Sequence, residues 1–409
     1  MSEIGGSERL VFRRRARQFE FFSSLRQKLL RLLISTAAFV ILIFGVESRS
    51  GAQLTILHSF GDGTVSNDGA YPAAALIQAP DGNFYGTTNA EATGKIYGTF
   101  FQITPAGVLK IIFRFDGKQA SDQSLLYYKG SLIGVSAGRA KHLAGAVFAL
   151  TESPKGHWTH QVWHTFTETG GNGPGAPLIE GSDGNLYGTT QFGGSAGLGT
   201  IYRLDPRAKT VIFLYSFTQL VNCFPQNALL QTNNGNFYGV TTDSLNGCAI
   251  FEMTPDADVT IFYTFASSYF PAGPLIQGSD GNFYVGVDYL GTANGATMLQ
   301  ITPSGVATIL HTFGQGTDGS GVLGAVVQGP NGRLYGMTAG GGTAGKGTIF
   351  EMSTDGSSYT VLHSFGDGSV PHDGNSPAGA LVLGADNNLY GVTTDGGSAR
   401  LGTVFKISP

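Results

Sequence analysis

The chain has 409 residues, 62 of them Gly, with only 13% charged and a formal net charge of −4 at pH 7. Soluble domains average about 7% Gly and about 25% charge, so this composition calls for many turns and many buried strands. Nine of the 24 basic and four of the 28 acidic residues lie before residue 53, which leaves 15 basic against 24 acidic residues, a net of −9; an acidic body excludes nucleic acid and an anionic membrane surface as its main partners.

The chain opens on a basic stretch that runs into the apolar segment Leu32 to Val46 (LLISTAAFVILIFGV), followed by Ser50-Gly51-Ala52. A basic leader, a short apolar run and a small-residue site describe a secretory signal over residues 1–52, cut near Ala52. The run is short for crossing a bilayer, so an uncleaved anchor is the lesser reading and membrane contact is confined to this segment. The address is secreted, periplasmic or cell surface. No Cys precedes Cys223, which excludes a lipoprotein.

The body starts with a β-branched and aromatic segment, Leu54 to Phe60 (LTILHSF), and then one phrase returns seven times, as in DGNFYGTT from Asp81 and DGNLYGTT from Asp183. Its markers are Tyr85, Ile133, Tyr187, Tyr238, Tyr284, Tyr335 and Tyr390, spaced about 50 residues apart, the length of one four-stranded propeller blade. Each repeat reads as four strands. The first is small then aliphatic (Pro177-Leu178-Ile179) and suits the crowded axis of a ring. An Asp-Gly or Asn-Gly turn leads to the second, because those residues accept positive φ. The Gly after the marker allows a close approach, and its displacement to Gly286 in the fifth repeat suggests a bulge. The third strand runs from a Gly-Thr step to a Pro, as in Gly199 to Pro206, and the fourth is β-branched and aromatic, as in Val211 to Phe217.

Counting fourth strands gives the topology. One stands before any first strand, at 54–60, and the chain stops at Pro409 directly after a third strand. The reading is an all-β, monomeric, seven-bladed β-propeller of four-stranded blades over residues 54–409, its ring closed by the N-terminal strand completing the last blade. The two cysteines, Cys223 and Cys248, fall in the fourth repeat at points that an antiparallel blade places at one end, so a disulfide between them is predicted in an oxidising compartment.

The segment Gly181 to Pro206 (GSDGNLYGTTQFGGSAGLGTIYRLDP), echoed from Gly384 to Pro409, resembles the GloVer tandem repeat of exported bacterial proteins described as "choice-of-anchor". The resemblance covers residues 54–409 and implies an exported repeat protein of unestablished biochemical role; the C-terminal sorting segment common in such proteins is not seen by Pro409. The pairs Gly193-Gly194 and Gly396-Gly397 also look like the double Gly of kelch blades, but the later Trp of that repeat is absent.

Cys/His metal spacing, a phosphate-binding loop and a Gly-x-Ser-x-Gly elbow are all lacking, and no cofactor is expected. His58, His164, His311 and His363 share one repeat position with Tyr215, Tyr263 and Arg114, which reads as structural. The polar residues before each first strand, Asp68, Asp122, Asn172, Asn222, Ser268, Asp318 and Asp373, are the candidate binding ring at the axial mouth, on the face that carries the long loops, unless they are simply turn formers. His372 beside Asp373 is the one acid–base hint. The favoured function is a non-catalytic module binding carbohydrate or protein on the long-loop face. The alternatives are an exported lyase, hydrolase or lactonase with its site at the axial mouth, or a structural envelope component.

Overall fold

The repeated phrase is a clamp. In Asp81-Gly82-Asn83, Asp81 accepts the Asn83 backbone N–H at 3.0 Å and its side-chain amide at 2.8 Å, and Tyr85 closes the turn by donating its hydroxyl to the same carboxylate at 2.7 Å. The set recurs at Asp183, Asp280 and Asp386, with Tyr187, Tyr284 and Tyr390 donating at 3.0, 2.6 and 2.8 Å. In these four blades the marker tyrosine is therefore a buried ring whose hydroxyl reaches back to fix the turn that precedes it, whereas Tyr238 donates to Glu252. In the computed structural model, which describes residues 52–90, 98–115, 119–120, 125–138, 144–218, 224–242, 247–266, 269–289, 295–314 and 317–409, each clamp sits between the first and second strands of a blade.

Seven antiparallel sheets form the body, three of them with the inner strand split into two short pieces. The third blade shows the plan: Ile179–Glu180, Leu186–Thr190, Thr200–Asp205 and Thr210–Ser216, in that order. The N-terminal strand Gln53–Ser59 pairs with Thr403–Ser408, placing Leu54 opposite Ile407 and Ile56 opposite Phe405. It thereby completes the last blade as its outer strand, as the strand count required. All seven outer strands carry a bulge, at Leu57, Ile112, Trp163, Leu214, Phe262, Leu310 and Leu362, a device that twists an exposed edge away from further pairing.

The core is distributed among the blade interfaces. Seven clusters of buried side chains each draw on two neighbouring blades; Phe60, Tyr390 and Val404 of the last blade, for example, meet Leu76, Phe84 and Phe101 of the first. Phe84 stacks on Tyr390 at a centroid distance of 3.9 Å. Polar stitches accompany the packing: Gln78 accepts the Ala385 N–H across the closure at 2.9 Å, as Gln231 does from Ser182 and Gln328 from Ser279, each at 2.8 Å.

The Gly after the marker makes room for a ring. A Cβ on Gly86, Gly134, Gly239, Gly336 or Gly391 would run into Phe101, Phe148, Phe251, Phe350 or Phe405 of the neighbouring third strand. The fifth blade has no bulge there: Val285 pairs with Leu299 and Gly286 with Met298 in unbroken register. Leu299 is smaller than the aromatic it replaces, so Val285 fits, while Gly286 gives space to Val322 of the next blade. The repeat position assigned to Arg114 belongs to Phe113, which stands two residues before Phe115 as His58 does before Phe60, and which holds the same register as His58 and His363.

The leader, apart from Ala52, lies outside the described residues, and so does Cys223; Cys248 is buried at the start of the fourth blade's third strand. Among the described residues no helix is long and apolar enough to cross a membrane.

Two outcomes follow from this packing. In the third blade the ring over the Gly belongs to Tyr202, whose hydroxyl is fully buried without a hydrogen-bond partner. Removing an unsatisfied buried hydroxyl is favourable, so Tyr202→Phe should raise stability by about 1 kcal/mol in urea unfolding; a loss of that size would mean that the hydroxyl is engaged. At the clamps, burial pushes each Asp carboxyl up, but hydrogen bonds from the Asn and Tyr outweigh it, leaving Asp81, Asp183, Asp280 and Asp386 below the ordinary value of 3.8. A folded pKa below the unfolded one stabilises above the unfolded value and loses that contribution as pH falls through the folded value. Melting temperature should therefore drop below about pH 4, and replacing the four Asp by Asn should flatten that acid limb; an unchanged acid limb would remove the clamps as its cause.

Candidate functional site

Small side chains at the start of each inner strand let the blades converge. Ala73, Ala74, Ala75, Pro177, Pro274, Gly324, Ala325, Gly379 and Ala380 line an axial cavity of about 290 Å³, with Gln226, Asn227 and Ala228 from the fourth blade. None of the four described ring residues, Asp68, Asn172, Asp318 and Asp373, lines it. Asp68, Asp318 and Asp373 turn back to the outer strand of the preceding blade, where they meet His58, His311 and His363 at 2.8, 2.9 and 2.8 Å. Asp68 and Asp373 are buried and also accept the backbone N–H of Gly61 and Gly366. Each pair pins the long loop between two blades. Asn172 lies in a bridge to Phe192 that ties two long loops together, and Asp122, Asn222 and Ser268 lie outside the described residues.

The pairing also disposes of the His372–Asp373 dyad, because Asp373 is taken by His363. A cation could be considered at His58, Asp62 and Asp68, whose ligand atoms lie within 4.8 Å of one another. These atoms are already satisfied, since Asp62 accepts from the Thr64 N–H and hydroxyl while Asp68 holds His58 and Gly61. The cluster is the loop pin of the closing strand. Burial pushes the Asp288 carboxyl up against a hydrogen bond from the Val322 N–H, and its Oδ1 has no partner, but this residue lines neither the axial cavity nor the pocket described next.

The place where the repeat breaks down chemically lies between the sixth and seventh blades. There a pocket of about 590 Å³ opens among the long loops, lined by Lys346, Val370, Pro371, His372, Asn375, Asp395 and Arg400 together with Asp373 and several glycines. Three copies of one loop show what is special: GGSAGLG from Gly193, GGTAGKG from Gly341 and GGSARLG from Gly396. Lys346 stands where the others have Leu198 and Leu401, and Arg400 where they have Gly197 and Gly345. The turn itself is unchanged, since Gly197, Gly345 and Arg400 donate to the carbonyls of Gly194, Gly342 and Gly397 at 3.3, 3.3 and 3.4 Å. Arg400 therefore adopts φ +60° where Gly adopts +76° and +71°, a left-handed conformation that costs an L-residue about 1–2 kcal/mol. His372 likewise holds φ +57°, at the position of Asn67.

Lys346 keeps the packing role of the leucine it replaces: its aliphatic stem lies over Gly366 as Leu401 lies over Gly61, which frees its ammonium toward the pocket. Neither Lys346 nor Arg400 forms an ion pair with a described residue. Two repeat-breaking cations from adjacent blades thus share one pocket in an acidic body. Sequence reasoning passed over both, although aligning the three glycine-rich loops displays them as the odd residues.

A family model, the Gloeobacter/Verrucomicrobia repeat, matches residues 97–278 and 270–409. No curated relative matches the sequence. Among solved structures the chain is similar to a puromycin hydrolase S511A mutant complexed with PGG, with a TM-score of 0.54 and 14% identity over 79% of this chain and 50% of that one. It is also similar to oligogalacturonate lyase from Vibrio parahaemolyticus, with a TM-score of 0.51 and 9% identity over 88% of this chain and 97% of that one. The chain thus spans about half the length of the hydrolase, and at these identities the likeness is one of fold.

If the two cations serve a ligand, restoring the repeat residues should not harm the fold. Arg400→Gly relieves the left-handed strain at the cost of a more flexible unfolded chain, so it should leave stability unchanged or raise it by up to about 1 kcal/mol. Lys346→Leu should change it by less than about 0.5 kcal/mol. Urea unfolding of both variants checks this, and a loss above about 1 kcal/mol in either would assign it a structural role.

Proposed function

The chain belongs to the Gloeobacter/Verrucomicrobia repeat family, and from that premise we propose that it is an exported, non-catalytic binding propeller that takes carbohydrate on its long-loop face. The observation that carries the reading is the concentration of repeat-breaking residues, Lys346 and Arg400, at one pocket between the sixth and seventh blades. A ring built only as an envelope scaffold has no reason to place at one mouth a strained arginine and a lysine that no described residue pairs. Catalysis would need a nucleophile or a matched acid and base within reach of one substrate; instead the His–Asp pairs of this face are buried in loop pins, and the axial cavity is walled by Ala, Gly and Pro with two amides. The size and mixed polarity of the pocket suit one or two sugar rings. Export rests on the basic and apolar leader and accords with a ligand met outside the cytoplasm.

Residues 53–409 should melt at a higher temperature with at least one member of a panel of neutral and acidic oligosaccharides and cell-wall fragments, because a ligand that binds only the folded form stabilises it by mass action. The double variant Lys346→Leu, Arg400→Gly should lose that shift. A ligand whose effect survives in the double variant, or no shift across the panel, would contradict the reading.

A further inference from the structure

We infer that the pocket between the sixth and seventh blades recognises an acidic saccharide, a sugar bearing a carboxylate, with Lys346 and Arg400 on the carboxylate. This rests on the binding reading above and narrows it to one ligand class. Arg400 presents a planar fork that matches a carboxylate with two parallel hydrogen bonds, and Lys346 adds a point charge. A neutral ligand would not require two cations that the homologous loops lack, one of them at a conformational cost.

The remaining lining separates a sugar from a compact anion. Asp395 faces the same cavity as the two cations, and its charge would oppose a small polyanion such as phosphate. It can accept hydrogen bonds from vicinal hydroxyls, and the Asn375 amide can both donate and accept. Val370 and Pro371 supply an apolar wall for the C–H face of a sugar ring. The lining as a whole therefore matches a ligand with one anionic group set apart from several hydroxyl donors.

The test is calorimetric titration of residues 53–409 with galacturonate and glucuronate oligosaccharides, with the same oligosaccharides as methyl esters, and with inorganic phosphate. The acids should bind at least ten-fold more tightly than the esters, affinity should fall with added salt, and phosphate should not compete at comparable concentration. Arg400→Gly and Lys346→Leu should each weaken the acids ten-fold or more and the esters by less, so that the preference for acid over ester shrinks in both variants. Equal binding of acid and ester through the same pocket would overturn the inference and leave the carbohydrate-binding reading standing. Phosphate binding as tight as the uronates would overturn it in favour of a simple anion site. Absence of uronate binding would also overturn it, and the neutral sugars of the melting panel then decide the broader reading on their own.

Discussion

Everything in this ring depends on one pairing between the two ends of the chain. Gln53–Ser59 against Thr403–Ser408 gives the last blade its outer strand and fixes the first blade beside it through Phe84 on Tyr390 and Gln78 on Ala385. Without it the last blade would present an unpaired edge, and the interface that joins the last blade to the first would have no defined geometry. Because the core is divided among seven interfaces, the free energy of burial is shared by the ring, and each blade holds its neighbours at a set angle.

Within that ring the sequence repeats wherever the physics repeats. The Asp-Gly-Asn-x-Tyr turn is local, its donors and acceptor lying within four residues, so it is visible as a phrase in the chain. Small residues at the axis and the spare fourth strand before the first blade are equally legible, because each follows from position in the repeat. The compensation in the fifth blade was not legible, since Val285 answers to Leu299 on another strand and a displaced glycine alone reads as a bulge. The polar residues before each first strand misled in place. Asp68 and Asp373 looked axial by spacing, yet each meets a histidine ten residues earlier, at the end of the preceding blade's outer strand.

These loop pins bear on function indirectly. By anchoring both ends of the long loops that enter the first and last blades, they give the long-loop face a rigid rim on which side chains can be held in place. Lys346 and Arg400 exploit that rim in different ways. The lysine keeps the packing of a leucine and adds a charge, while the arginine accepts a backbone conformation suited to glycine. Local strain retained at a surface turn is a common mark of a working residue, and here it coincides with a cavity, a second cation without an ion pair among the described residues and a break in an otherwise regular repeat. Neither residue stands out in one repeat read alone, because the signal is a difference between copies and the two come from separate blades.

The central claim is that this protein binds its ligand among the long loops between the sixth and seventh blades. A crystal structure of residues 53–409 with a diuronate would test it most directly. The account predicts the sugar carboxylate against Arg400 and Lys346, with hydroxyls toward Asp395; a ligand seated in the axial cavity beside Gln226 and Asn227, or on the face of the short turns, would contradict it.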